Sequence, residues 1–168
     1  MRHGLVGLVL VAIATASAGT VKGQGGAPAV RPEEPAVREL IVNGMARSAT
    51  FRDLSARLDQ SDVVVYVRFA PCIGNVAACL LWASESAGAR RLVIKLDRVG
   101  RSPNELTALL AHELQHANEV ASAPEIRDLA SFRKSFAARG SKNADGFETE
   151  KARDVGRRVS VELARAPR

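Results

Sequence analysis

The chain has 168 residues and carries 24 Lys and Arg against 18 Asp and Glu, a formal net charge of +6. This length suits one domain with a single core, and it excludes a large multidomain protease. Basic charge can indicate a nucleic-acid partner, but arginine is scattered through every predicted helix and aromatic residues make up only 4% of the sequence. We therefore predict a solvated basic surface and no nucleic-acid partner.

The first 18 residues, MRHGLVGLVLVAIATASA, have the organisation of an export signal. Basic Arg2 precedes an uncharged apolar run, and the small residues Ala16, Ser17 and Ala18 suit cleavage by a signal peptidase. The run of about 15 uncharged residues is shorter than the roughly 20 that a membrane-spanning helix needs. We predict an exported protein, periplasmic or secreted, with a signal peptide over residues 1–18 and no stable membrane insertion after cleavage.

The next segment, residues 19–35, is rich in Gly and Pro and has no sustained apolar period. This composition predicts a flexible linker. A single domain is predicted over residues 36–166. Apolar residues at helical spacing between residues 36 and 60 predict two short helices or one bent helix, with Ser48 or Thr50 available as an N-cap.

The apolar pattern then changes to one that is typical of strands. The segments SDVVVYVRFA, ACLLWAS and RRLVIKLD are short and rich in β-branched or apolar residues, which predicts a three-stranded antiparallel sheet. Cys72 and Cys79 are the only cysteines, and an even count in an exported chain predicts a structural disulfide bond. Their spacing is not that of a zinc knuckle, which needs closer Cys pairs or further ligands.

The segment RSPNELTALLAHELQHANEVA has strong helix signals. Ser102 is the predicted N-cap, Pro103 suits the first helical position, and Glu105 completes a capping box. Pro124 separates this helix from a further one that ends near Gly140, and GFETEKARDVGRRVSVELA predicts a last helix. The expected fold class is α+β, with the small sheet packed against about five helices.

The motif of greatest chemical interest is His112-Glu113-Leu114-Gln115-His116 within that helix. The two histidines lie about 40° apart around the helix with Cβ atoms roughly 5–6 Å apart, so both imidazoles can bind one zinc ion. Glu113 lies beside them and can act as a general base toward a water molecule. The alternative is that both histidines are ordinary core residues bonded to backbone carbonyls.

The motif resembles that of the zincin metallopeptidases. The resemblance implies a zinc-dependent peptidase with a peptide or protein substrate, in which the motif helix follows a small sheet whose edge strand receives the substrate in extended form. The metzincin branch has a glycine and a third histidine where this chain has Glu119 and Ser122. The chain therefore resembles a compact gluzincin, the branch whose third zinc ligand is a glutamate on a later helix.

A third ligand must be an acid, because no third histidine remains after removal of the signal peptide. Glu119 lies about 10 Å along the helix from His112, which suits the cleft rim better than the same ion. Asp128 lies on the following predicted helix, where a surface role is expected. The choice is therefore between Glu148 and Glu150 on the last predicted helix.

Glu148 is the predicted third ligand, and Glu150 is the alternative. On a helix, Glu148 would head an apolar stripe that includes the small residues Ala152 and Gly156, whereas Glu150 would face water. A second interpretation remains open for Glu148. The spacing of Asp145 and Glu148 matches a capping box, so this glutamate could serve only the start of its own helix.

The sequence thus predicts an exported zinc metallopeptidase with metal ligands His112, His116 and Glu148 and with Glu113 as general base. Two alternatives remain: a zinc-holding envelope module without catalytic activity, and a small secreted binding protein without metal. The intact Glu113 argues against the first alternative. Tyr66, the single tyrosine, is the only phenol that could stabilise an oxyanion, but its place in a predicted strand favours a role in the sheet.

Overall fold

The computed structural model describes residues 27–74, 76–139, 141–143 and 146–166. The predicted signal peptide and residues 19–26 of the predicted linker lie outside these ranges. Within them the chain forms five helices and six strands, in the order β1 (Val30–Pro32), α1 (Pro35–Arg47), α2 (Ala49–Asp59), β2 (Val63–Phe69), β3 (Ala78–Ser86), β4 (Ala89–Leu96), α3 (Pro103–Ala121), α4 (Leu129–Arg139), β5 (Ser141–Asn143), β6 (Gly146–Glu148) and α5 (Glu150–Arg165).

The α+β class predicted from the sequence is confirmed, but the prediction of a three-stranded antiparallel sheet is wrong. The main sheet has four strands in the order β1-β2-β4-β3. Strand β2 runs parallel to both β1 and β4, and only β3 is antiparallel to its neighbour β4. The sheet is therefore mixed, and β3 is one of its edge strands.

The connection between β2 and β3 explains the difference. The prediction treated the three segments as antiparallel neighbours, but here the chain passes the position of β4 and places β3 at the far side of the sheet. Within this sheet the hairpin is formed by β3 and β4, through Ala87 and Gly88, whose φ angles of 51° and 74° are those of a primed turn; β5 and β6 form a separate antiparallel pair. Cys72 and Cys79 form the predicted disulfide bond, which ties the β2–β3 loop to the start of β3.

Strand β1 lies inside the segment predicted as a linker. Val30 pairs with Val65 in β2 and is buried. The Ala29 carbonyl accepts a hydrogen bond from the Val65 N–H at 2.8 Å. The domain thus begins before residue 36. A strand of three residues close to prolines is too short to show a recognisable alternation of apolar and polar residues. Its partner β2 is also more than thirty residues away in the sequence.

Helix α3 carries the histidine motif and packs one face against the sheet and the other helices. Its predicted start is confirmed: Ser102 is the N-cap, Pro103 begins the helix, and Glu105 completes the capping box. Leu110, Ala111, Leu114 and Ala117 are fully buried, so hydrophobic burial fixes the orientation of the helix and leaves the motif side chains on a different face.

The C-terminal end of α3 is held by Arg90, a strand β4 residue that is only 1% exposed. Its Nη1 donates hydrogen bonds to the carbonyls of Val120 at 2.7 Å and Ala123 at 2.8 Å, and its Nε donates to Asp62 at 3.0 Å. The buried guanidinium therefore adds a second donor to carbonyls that each accept a backbone N–H, and it ties the end of the helix to the sheet.

The predicted lead-in helices are α1 and α2, with Ser48 between them as the N-cap of α2. Its hydroxyl accepts a hydrogen bond from the Phe51 N–H at 3.0 Å. Gly44 allows this bend, since a Cβ atom at that position would lie 2.7 Å from the Phe51 ring. Among the described residues no helix has the length and apolar character needed to cross a membrane.

The last helix starts later than predicted. Thr149 is its N-cap and accepts a hydrogen bond from the Ala152 N–H at 3.2 Å, so Glu148 lies before the helix, at the end of β6. The capping-box interpretation of Asp145 and Glu148 is therefore wrong, because Glu148 is not the third residue of this helix. Ala152, Val155, Val159 and Leu163 form the buried face of α5.

Candidate metal centre

Helix α3 brings His112 and His116 together on the face that borders a cleft. Their ring centroids are 5.0 Å apart with the rings nearly perpendicular. The His116 side chain is 5% exposed and the His112 side chain 17% exposed. The predicted spacing of the two imidazoles is thus present in the structure, with both rings largely shielded from solvent.

Glu148 completes the group from outside the motif helix. Its Oε1 lies 3.3 Å from His112 Nε2 and 3.8 Å from His116 Nε2. The structure therefore brings the predicted third ligand to both histidines. It does so through the strand end before α5, and not through the helical stripe on which the prediction was based.

His112, His116 and Glu148 together could hold a metal ion, since one ligand atom from each lies within 4.8 Å of the others. Two atoms bonded to one zinc at about 2.0–2.1 Å lie roughly 3.3 Å apart in a tetrahedral site, close to the observed separations. Among the described residues, buried Glu148 Oε1 has no hydrogen-bond partner. A buried carboxylate oxygen of this kind requires a cation or a donor, so the residues fit a metal ion.

The other nitrogen of His116 is held by Glu119. His116 Nδ1 lies 3.1 Å from Glu119 Oε2, while Gln115 Nε2 and the Thr149 hydroxyl donate to Glu119 Oε1 at 3.2 and 3.0 Å. A proton on Nδ1 that is donated to this carboxylate leaves Nε2 free to bind a metal. The prediction placed Glu119 at the cleft rim, yet its side chain is only 13% exposed.

The other nitrogen of His112 faces α5. The imidazole makes a hydrogen bond with the backbone of Ala152, and a Cβ atom built on Gly156 would lie 3.6 Å from His112 Nδ1. The predicted close approach of α5 to the motif helix at Gly156 is therefore present. As with His116, the arrangement directs Nε2 toward Glu148.

The environments of the two histidines shift their pKa values in opposite directions. Burial, followed by the charge of His116, lowers the pKa of His112 to about 4. Burial also opposes protonation of His116, but the hydrogen bond with Glu119 and the neighbouring carboxylates raise the pKa of this residue. His112 is thus in the neutral form that binds metals, whereas the raised pKa of His116 makes a proton a stronger competitor of the metal ion at that residue.

Glu113 lines the same cleft as the three candidate ligands. Burial raises the pKa of Glu113 to about 7; the His116 charge lowers it and the Glu148 charge raises it. Burial is also the main cause of the raised pKa of Glu148, opposed by His116 and then by Arg153. A carboxyl group with a pKa near neutrality can both accept and return a proton.

The cleft over the site has a volume of about 660 Å³. One wall is the edge strand β3 and the loop before it, and the other is built from α3 and α4. The part of the cleft between β3 and α4 is aromatic, because Trp82, Phe132 and Phe136 lie there. The ring centroids are 6.1 Å apart for Trp82 and Phe132 and 4.8 Å apart for the two phenylalanines.

The remaining candidate residues lie elsewhere. Glu150 is exposed in the first turn of α5. Asp128 accepts a hydrogen bond from the Ser131 N–H at 2.7 Å at the start of α4. Tyr66 in β2 packs under Arg31, with the guanidinium carbon 5.8 Å from the ring centroid, and it does not line the cleft. The structure thus gives Tyr66 the role in the sheet that was expected.

Residues that sequence reasoning missed are Thr149 and Arg153, along with the role of Glu119. The i+3 spacing of His116 and Glu119 on one helix was a usable signal, since a metal-binding histidine commonly donates to a carboxylate.

No protein-family model, curated protein or solved structure matches this chain.

Proposed function

We propose that the protein is an exported zinc-dependent metallopeptidase that hydrolyses peptide bonds with Glu113 as general base. The observation that carries this proposal is the position of Glu148 Oε1, which is buried and lies 3.3 and 3.8 Å from the Nε2 atoms of His112 and His116. Two elements that are distant in the sequence, α3 and the end of β6, bring these three side chains together, and a cation between them would explain why a buried carboxylate is held there.

Zinc is favoured over other metal ions by the three candidate ligands and by the acid beside them, Glu113. Two histidines and one carboxylate with an open position are typical of catalytic zinc. The same set also binds iron(II) in some oxygenases. The presence of a buried acid directly after the first histidine favours zinc, because a hydrolytic site requires a general base beside the metal whereas an oxygenase does not.

A zinc ion held there would polarise a substrate carbonyl and make a water molecule more acidic. Glu113 is placed to take the proton from that water molecule and to return it to the leaving amine. Glu119 keeps the His116 proton on Nδ1, and the hydrogen bond between His112 and the Ala152 backbone restrains the other imidazole. The surrounding apolar walls exclude water from the reacting groups.

The form of the substrate follows from strand β3. This strand is hydrogen-bonded to β4 on one side only, and its residues 78–82 border the cleft. An extended peptide can therefore bind along its free edge by backbone hydrogen bonds. Such binding presents a peptide bond, in preference to a small molecule, to Glu113 and the metal ligands.

Export remains part of the proposal on two grounds. The first 18 residues have the charge and apolar pattern of a signal peptide. The disulfide bond between Cys72 and Cys79 suits an oxidising compartment. Periplasmic or secreted peptidases meet unfolded or extended polypeptides, the substrates that an exposed strand edge accepts.

The test combines zinc analysis with a peptide library. The chain lacking residues 1–18 is loaded with zinc, incubated with a broad peptide mixture, and the products are sequenced by mass spectrometry. We expect cleavage by the wild-type protein and at least a hundredfold slower cleavage by Glu113→Gln, with zinc content unchanged, because only the proton acceptor is lost. Glu150→Gln is the control, since this exposed acid lies outside the metal group.

Two results would contradict the proposal. If the zinc-loaded chain cleaved nothing and Glu113→Gln were indistinguishable from it, a zinc-holding module without catalysis would be the better interpretation. If the chain bound no zinc, the metalloenzyme interpretation would fall altogether.

A further inference from the structure

A second cavity adjoins the cleft on the side of α5. It has a volume of about 420 Å³ and lies between the first half of α3 and α5. Ala77, Leu109 and His112 line both cavities, so the two meet at the first histidine of the motif. A molecule that binds across the metal group therefore has space on both sides of it.

The second cavity is basic. Arg101, Arg153 and Arg157 line it together with one acid, Glu105. The Glu105 carboxylate accepts hydrogen bonds from the backbone N–H and the hydroxyl of Ser102 at 2.7 and 2.6 Å, so it is already engaged in the helix cap. Because the Glu105 carboxylate is bonded to Ser102, the three arginines leave the cavity with a positive charge.

Among these arginines, Arg153 is the one without an anionic partner within the described part of the chain. Arg101 pairs with Asp97 at 3.2 Å, and Arg157 pairs with Asp154 on its own helix. The Arg153 side chain is exposed, and its charge acts on both His112 and Glu148. Within the described residues no acid occupies this guanidinium, which places it to bind an anion beside the metal group.

The opposite side of the metal group has a different character. The wall around Trp82, Phe132 and Phe136 is aromatic, and among the residues that the structure describes Arg133 is the one arginine or lysine that borders it. The two halves of the cleft would therefore select different chemical groups. Apolar side chains suit the β3 side, and anionic groups suit the α5 side.

We propose that the cavity between α3 and α5 is a subsite for a carboxylate, bound by Arg153 with support from Arg101 and Arg157. This inference rests on the proposed peptidase function and names its substrate class: polypeptides that place a carboxylate on the α5 side of the cleaved bond and an apolar residue on the β3 side. Arg153 is well suited to this because a guanidinium can bind a carboxylate through two parallel hydrogen bonds.

The carboxylate has two sources, the side chain of Asp or Glu and the C-terminus of the substrate. Two peptide libraries distinguish them, one with amidated and one with free C-termini, both randomised over the same positions. Enrichment of Asp and Glu at a fixed position from the cleaved bond in the amidated library indicates a side chain. Cleavage confined to bonds near a free C-terminus indicates the terminal carboxylate.

The role of Arg153 is tested by substitution. Each library is offered to the zinc-loaded wild type, Arg153→Gln, Arg153→Glu and Arg158→Gln. Arg158 is the matched control because it is exposed on the same helix and lines neither cavity. We expect at least tenfold enrichment of carboxylate-bearing peptides for the wild type and the control, loss of this enrichment for Arg153→Gln, and a preference for Lys and Arg for Arg153→Glu.

A binding experiment gives a readout independent of turnover. Glu113→Gln, zinc-loaded and immobilised, is used to retain peptides from the same libraries, alone and combined with Arg153→Gln. The carboxylate preference should persist in the first protein and disappear in the second. Peptides that are bound or cleaved without any preference for a carboxylate, or with the same preference after Arg153→Gln, would overturn the subsite and leave the peptidase proposal intact. Absence of both binding and cleavage with zinc bound would overturn both.

Discussion

Replacing Glu119 by glutamine is expected to weaken zinc binding, although Glu119 is not itself a proposed ligand. The carboxylate accepts from Gln115 and Thr149 at one oxygen and faces His116 Nδ1 at the other. A glutamine that keeps the bonds from Gln115 and Thr149 must point its NH₂ group at Nδ1. Because two donors cannot bond, His116 would then carry its proton on Nε2, the nitrogen that faces Glu148.

The magnitude follows from the partners that are lost. Groups that orient a metal-binding histidine are typically worth about 10- to 100-fold in metal affinity, which corresponds to about 1.4–2.8 kcal/mol. We expect Glu119→Gln to lie within this range. If the glutamine instead turns its carbonyl oxygen toward Nδ1, the bond from Thr149 is lost, and because Thr149 is the N-cap of α5 and directly follows Glu148, this orientation loosens the third ligand.

The assay is a competition titration with a chromophoric zinc chelator at neutral pH, using the wild type, Glu119→Gln and the control Glu150→Gln. Urea unfolding of the metal-free proteins separates a loss of zinc affinity from a loss of folding stability. A zinc affinity of Glu119→Gln within twofold of the wild type would refute the positioning role. So would an equal loss of affinity in the control.

Three further predictions concern the ligand, the disulfide bond and the helix anchor. Glu148→Gln should lower zinc affinity at least a hundredfold in the same titration and Glu150→Gln should not, because Glu148 lies in the group with both histidines and Glu150 is exposed outside it; equal effects would exclude Glu148 as the ligand. Replacing Cys72 and Cys79 by serine should lower the free energy of unfolding by about 2–3 kcal/mol for so short a loop; an unchanged urea midpoint would contradict this. Arg90→Met should destabilise by about 3 kcal/mol or more, since it removes buried hydrogen bonds to two carbonyls and to the Asp62 carboxylate, and a loss below about 1 kcal/mol would show that the guanidinium contributes no more than one ordinary hydrogen bond.

Local signals were sufficient to predict the motif helix. Ser102, Pro103 and Glu105 define its start within four residues, and His112 and His116 share a face at any regular helical geometry. The disulfide bond was also predictable, because the chain has only two cysteines and its first residues predict export. Such features depend on neighbours in sequence, which is why the structure agrees with them.

The topology of the sheet was not predictable by the same reasoning. Whether β2 runs parallel or antiparallel to β4 depends on where the β2–β3 loop crosses, and no turn residue encodes that path. Strand β1 is recognisable only through its pairing with β2. In both cases the decisive interactions are between residues far apart in the chain.

Glu148 lies beside both histidines, as the prediction of a third ligand requires, but it does so for a reason other than the one the sequence suggested. The prediction placed Glu148 on an apolar stripe of the last helix. In the structure Thr149 is the N-cap of that helix, so Glu148 lies before it, at the end of β6. The carboxylate reaches the histidines because the polypeptide enters α5 beside α3. The link from Thr149 through Glu119 to His116 is a tertiary contact, so only the spacing of Glu119 and His116 was visible in the sequence.

The most direct test of the metal centre is the position of zinc in crystals of the zinc-loaded chain, located by anomalous scattering at the zinc absorption edge. We predict one strong peak per chain, about 2.0–2.2 Å from the Nε2 atoms of His112 and His116 and from a carboxylate oxygen of Glu148. A peak at another cluster of side chains, or coordination through an acid other than Glu148, would contradict the proposed ligand set. The absence of any peak after zinc loading would contradict the metal centre itself.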